Sequence, residues 1–204
     1  MGAYYRPVII NKKGVATMYK SKLDDPKCTW NGHKLGEHSF IYNCLVADFI
    51  DSILIKRKGG KAKIVWLCDY HEPNERIPCT WDSVRESYIP CNFQNKKWEE
   101  DEDGYEKVII DFYRTNRFLI NLSKKECIDL YEIAIRQSSV YEILYYHPLP
   151  ILTASDPEVM GGGDIMPEKV GYMRSAWAGD EIKIARTPPS PLECYKMIRW
   201  NYYD

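Results

Sequence analysis

Between positions 40 and 68 the chain commits to a helix followed by a buried strand. Leu45, Val46, Phe49, Ile50, Ile53 and Leu54 repeat at helical spacing, with Asp48, Asp51 and Ser52 on the opposite side. This pattern predicts an amphipathic helix over about 40–57, with Ser39 as its N-cap. Lys56, Arg57 and Lys58 fall in its last turn, where cations suit the negative end of the helix dipole, and Gly59-Gly60 supplies the stop. Ile64-Val65-Trp66-Leu67-Cys68 follows at once, a short continuous apolar run of the kind found in strands covered on both faces.

Around this unit the remaining elements read as mostly extended. Residues 4–10 and 15–19 predict two strands separated by the turn Asn11-Lys12-Lys13-Gly14. Positions 72–106 hold Pro73, Pro78, Pro90 and an acidic run from Glu99 to Asp103, and read as an irregular excursion. Val108–Tyr113 and Phe118–Leu122 read as strands joined by a turn at 114–117. Ser123-Lys124-Lys125-Glu126 fits either a helix-opening capping box or a hairpin turn into a strand at 126–130, the helix being slightly favoured. Val140–Tyr146 is strand-like, His147-Pro148-Leu149-Pro150 breaks it, and Ile151–Ala154 resumes as an extended segment. Gly179-Asp180 turns into a last strand, Glu181–Ala185. The fold expected is α+β: one domain over 1–204, a mostly antiparallel or mixed sheet packed by one long helix, with long irregular loops.

At 204 residues the chain is long enough for a substantial core, and its 45% hydrophobic and 28% charged content is that of a globular protein. A formal net charge of −1 argues against coating long nucleic acids, whose affinity comes from neutralised phosphates. The N-terminus lacks an apolar leader and no stretch has the length of a membrane span. Seven Cys, an odd number without dense spacing, suit a reducing compartment, so the cytoplasm is the expected location and no membrane is expected as a partner.

Three constellations carry chemical potential. Polar residues cluster at the ends of apolar elements: Glu37 and His38 before the long helix, Asp69 and Tyr70 after the buried strand, and His147 before its Pro-Leu-Pro. Converging, they form a pocket in which His38 or His147 acts as a base and Asp69 or Asp164 orients it. The plainer reading makes each histidine a satisfied hydrogen-bonding residue at an element boundary. Gly161-Gly162-Gly163-Asp164 allows close backbone approach to an anion, or is simply a flexible connection. Cys68, His71, Cys79 and Cys91 offer four zinc-competent ligands at irregular spacing, although Cys68 adjoins an apolar run where free Cys packs as a small hydrophobe. The main expectation is therefore no metal and no cofactor. Trp66, Tyr70, Tyr146 and Trp177, among 16 Tyr and 6 Trp, are candidates to stack on a planar ligand. The cationic stretch Lys56–Lys63 packs five positive charges, several of them explained by helix-end complementarity, with nucleic-acid contact as the lesser alternative.

Taken in order, Lys34-Leu35-Gly36-Glu37-His38-Ser39, Val65–Tyr70, Leu119–Lys125, and His147–Ala154 followed by Gly161–Asp164 resemble a group of proteins of bacteriophages and mobile elements of Gram-positive bacteria. No activity is assigned to that group. Its members tend to carry Asn-His-Thr where this chain has Asn121-Leu122-Ser123, so no role passes to a histidine there. The resemblance implies a phage accessory protein in the host cytoplasm, a host-defence antagonist that binds a nucleotide-like ligand or a host protein. The alternative is a hydrolase or transferase acting on a nucleotide or phosphodiester. The partner expected is a small anionic ligand or a host protein, with self-association left open.

Overall fold

The computed structural model describes residues 3–21, 34–39, 45–90, 102–138, 146–156 and 173–200. The strands among the described residues are β1 (Tyr5–Ile10), β2 (Ala16–Ser21), β3 (Lys61–Cys68), β4 (Arg85–Ile89), β5 (Phe118–Asn121), β6 (Glu126–Asp129), β7 (Glu181–Ala185) and β8 (Lys196–Met197). They form one mixed sheet in the order β4-β2-β1-β3-β7-β5-β6-β8. Its interior ladders are antiparallel, and only the outermost pairs, β2 with β4 and β6 with β8, run parallel. The helices are α1 (Leu35–Ser39), α2 (Leu45–Phe49, continued by π-helical turns over Ile50–Leu54), α3 (Glu102–Thr115), α4 (Leu130–Ser138) and α5 (Pro148–Leu152).

Side-chain alternation divides the sheet into two faces. Tyr5 and Ile9 of β1, the even-numbered residues Ala62–Cys68 of β3 and Ile182 and Ile184 of β7 join the described helices in the larger core. The other face holds two smaller apolar groups. Val8, Ile10, Met18, Val65 and Leu67 pack under Ile77 and Cys79, while Phe118, Ile120 and Cys127 gather at the β5–β6 side. Burial pushes the Cys127 thiol up to about 11, as expected of a cysteine that packs as a hydrophobe.

The structure departs from the sequence reading in several places. The predicted long helix appears among the described residues as the short α2 with its π-helical extension, and Ser39 closes α1 instead of capping it. Asp48, expected on the polar side, is buried. The longest described helix is α3, 14 residues, where a strand was expected at 108–113. Ile109, Phe112 and Tyr113 are buried while Lys107, Asp111 and Arg114 are exposed, so the stripe has a helical period that the run of β-branched residues obscured. The segment 123–126 is a hairpin turn into β6, and the helix begins only at Leu130. The expected excursion contains β4, and His147-Pro148 opens α5 because proline at the first helical position gives up no hydrogen bond. By contrast β1, β2, β3 and β7 fall where the sequence placed them, and Gly59 and Gly60 both take positive φ at the expected stop.

Candidate functional site at the carboxyl end of the central strand

His38, Trp66 and His147 do come close together, but inside the larger core. All three are fully buried. The Trp66 indole N–H donates to His38 Nδ1 at 2.7 Å, and Trp66 packs edge-on against Phe49 with ring centroids 5.3 Å apart. The His147 backbone amide donates to Ser39 O at 2.7 Å, which ties the start of α5 to the end of α1. His147 Nδ1 accepts the Leu149 amide as the N-cap of α5, and its ring stacks on Tyr113 at 5.9 Å and 13°. Burial lowers its pKa to about 3, so this imidazole is neutral at physiological pH. Tyr146 and Trp177 are core residues too, Trp177 Nε1 donating to Glu126 Oε2 at 2.6 Å. Among the aromatics proposed to stack, only Tyr70 reaches solvent, at 50% exposure.

The carboxyl end of β3 is different. Here the antiparallel register sets Tyr5 opposite Cys68. Tyr4 N donates to Asp69 Oδ1 at 2.9 Å, and Asp69 N donates to Tyr4 O at 3.0 Å. Cys68 N donates to Ser155 Oγ at 2.8 Å, which docks the chain leaving α5 onto the same strand end. Arg174 arrives from the far side of the sequence. It is only 5% exposed, its Nη2 donates to Tyr5 Oη at 2.7 Å, and its guanidinium carbon lies 5.8 Å from the Tyr5 ring centroid. Burial pushes the Tyr5 phenol well above its usual range and so keeps it neutral. Tyr4 and Tyr70 flank this end as large exposed aromatics.

The sequence reading placed Asp69 and Tyr70 at this strand end and did not single out Tyr5 or Arg174. The available signal was that Arg174 is the one arginine between Arg136 and Arg186 and follows the glycine- and proline-rich stretch. Gly161, Gly162, Gly163 and Asp164 lie outside the described residues, as does the Glu37 side chain. Ser155 and Arg174, on either side of the glycine segment, are both anchored at the β3 end.

The four zinc-competent residues do not assemble. Cys68 packs in the larger core and Cys79 on the opposite face of the sheet. His71 Nε2 donates to Ile77 O at 3.2 Å. Cys91 lies outside the described residues. Among the described residues no group of three His, Cys, Asp or Glu side chains is placed to hold a metal ion. No helix among them is long and apolar enough to cross a membrane. Comparisons with protein-family models, with curated proteins and with solved structures returned no match.

Proposed function

We propose that this chain is a binding protein for a small anionic, nucleotide-like ligand, received at the carboxyl end of β3. The observation that carries the reading is the Arg174 guanidinium held by the Tyr5 phenol, whose ladder partner Cys68 immediately precedes Asp69 and the exposed Tyr70. A guanidinium suits a phosphate in charge and geometry, an aromatic ring suits a base, and a carboxylate suits hydroxyl or amino donors. Strand ends are also where rigid sheets present binding groups. Taken with the resemblance to phage proteins, the role proposed is that of an accessory protein that sequesters a nucleotide messenger of host defence in the host cytoplasm. The acid–base alternative draws less support, because His38 and His147 are enclosed by the core.

The test compares native and denatured masses of the purified protein, followed by calorimetric titration with nucleoside phosphates and cyclic dinucleotides. A nucleotide-sized mass released intact by denaturation, and lost in Tyr70→Ser and Asp69→Asn without a fall in melting temperature, is the expected result. Release of a converted product would favour the enzyme. A bare chain with no calorimetric response would overturn both.

A further inference from the structure

The opposite end of β3 carries a different chemistry. The segment leading into it holds Lys56, Arg57 and Lys58, and the strand opens with Lys61 and Lys63, both exposed on the face away from the helices. The fold brings further cations to the same place. The exposed turn after β1 contributes Lys12 and Lys13, because Ile10 pairs with Lys63. Strand β7 contributes Lys183, directly opposite Lys61 in the ladder. Segments 11–15, 55–63 and 181–186 carry a single carboxylate, Glu181, which pairs with Lys61 at 3.0 Å.

Helix-end complementarity accounts for Lys56–Lys58 but not for Lys61 facing Lys183. Glu181 pairs with Lys61 and stands opposite Lys63 in the ladder, so a single carboxylate is set against Lys61, Lys63 and Lys183 at this strand end. The whole-chain charge of −1, which argued against coating long nucleic acids, averages over this segregation.

We infer that this lysine-bearing end of the open sheet face docks the phosphate backbone of a nucleic acid. The patch crosses β1, β3 and β7, about 10 Å at the usual strand spacing, and a duplex presents about one charge per 1.7 Å over such a length. A lipid surface fits less well, because adsorption by lysines is stabilised by apolar side chains beside them, and Ile55 is the one large exposed apolar residue of segments 11–15, 55–63 and 181–186.

The experiment is fluorescence anisotropy of the full chain against a labelled oligonucleotide of about 20 residues, single-stranded and duplex, between roughly 50 and 200 mM salt. The comparison is the triple variant K61Q/K63Q/K183Q, with thermal melting recorded alongside. Affinity should fall with salt, and the variant should bind at least about tenfold more weakly, with a log–log salt slope shallower by about 3 for duplex. Its melting temperature should stay close to that of the wild type, since the relieved Lys61–Lys183 repulsion and the lost Lys61–Glu181 pair are each worth about 1 kcal/mol or less. Undetectable binding at low salt, or binding that the variant retains with unchanged slope, overturns the inference. So does binding to phosphatidylserine-containing vesicles without binding to the oligonucleotide.

Discussion

Trp66 donates its indole N–H to His38 Nδ1 at 2.7 Å, and both side chains are fully buried. An indole nitrogen can only donate, so Nδ1 must be the acceptor and the proton of a neutral His38 sits on Nε2. The Arg6 Nη1 contact to Nε2 at 3.5 Å then sets two donors face to face and is not a hydrogen bond. This pair joins α1 to the central strand. Trp66→Phe removes the donor, strands a buried acceptor and leaves part of the ring's volume empty, at a cost of about 3 kcal/mol in urea unfolding. Nitrogen-15 shifts of the wild-type imidazole should report the Nε2–H tautomer, and an Nδ1–H signal would refute the assignment.

His147 makes the fold sensitive to acid. Its pKa is lowered from 6.5 to about 3 by burial, so between those values the unfolded chain takes up a proton that the folded chain refuses. The stability it confers is fully present above pH 6.5 and drains away as pH falls toward 3, by on the order of 4 to 5 kcal/mol over the whole interval. His147→Asn keeps an acceptor for the Leu149 amide and has no proton to gain. Its denaturation midpoint at neutral pH should be lower, from lost stacking on Tyr113, but should decline less between pH 6.5 and 4 than that of the wild type. Parallel curves would show that other groups govern the acid limb.

What was legible in the sequence follows from which signals are local. The runs forming β1, β3 and β7 carry their own punctuation, and a five-residue apolar run such as Ile64–Cys68 has few alternatives to a buried strand. α3 was missed because Val108, Ile109 and Ile110 favour strands intrinsically, and only packing decides in favour of the helix. Order within the sheet, with β7 inserted between β3 and β5, is a long-range property that no local pattern carries. The site divides the same way. Asp69 and Tyr70 were legible as the polar exit of an apolar strand. His38 and His147 looked equally exposed to chemistry, yet the packing of α1 on α5 encloses them. Arg174 meets Tyr5 from 169 positions away, beyond the reach of any motif.

Asn121 organises the β5–β6 turn. Its Oδ1 accepts the amides of Ser123 and Lys124, each at 2.9 Å, and its Nδ2 donates to Asp180 Oδ2 at 2.8 Å. The other Asp180 oxygen accepts from Arg76 Nη2 at 2.8 Å. Asn121→Asp preserves both turn bonds but sets a second carboxylate against Asp180 in a buried site, so it should cost about 3 kcal/mol at neutral pH. Adding Asp180→Asn restores a donor between the two side chains and should recover much of the loss. Denaturation of both singles and the double closes the cycle, and additive effects would deny the coupling.

Gly179 and Gly14 both have positive φ, 72° and 76°, yet substitution should separate them. A Cβ on Gly14 meets nothing within 4 Å, so Gly14→Ala carries only the left-handed backbone term, about 1 kcal/mol. A Cβ on Gly179 would stand 2.9 Å from the backbone oxygen of Arg76, which cannot rotate away as a side chain would. Gly179 also donates its amide to Ile64 O at 2.9 Å, so the turn cannot retreat without pulling on β3. Gly179→Ala should therefore cost about 2 to 4 kcal/mol and loosen the Arg76–Asp180 pair across the turn. Equal denaturation midpoints for the two variants would mean that the 76–77 segment yields freely, and the close packing of that segment over Val65 and Leu67 would then contribute little to holding the open face.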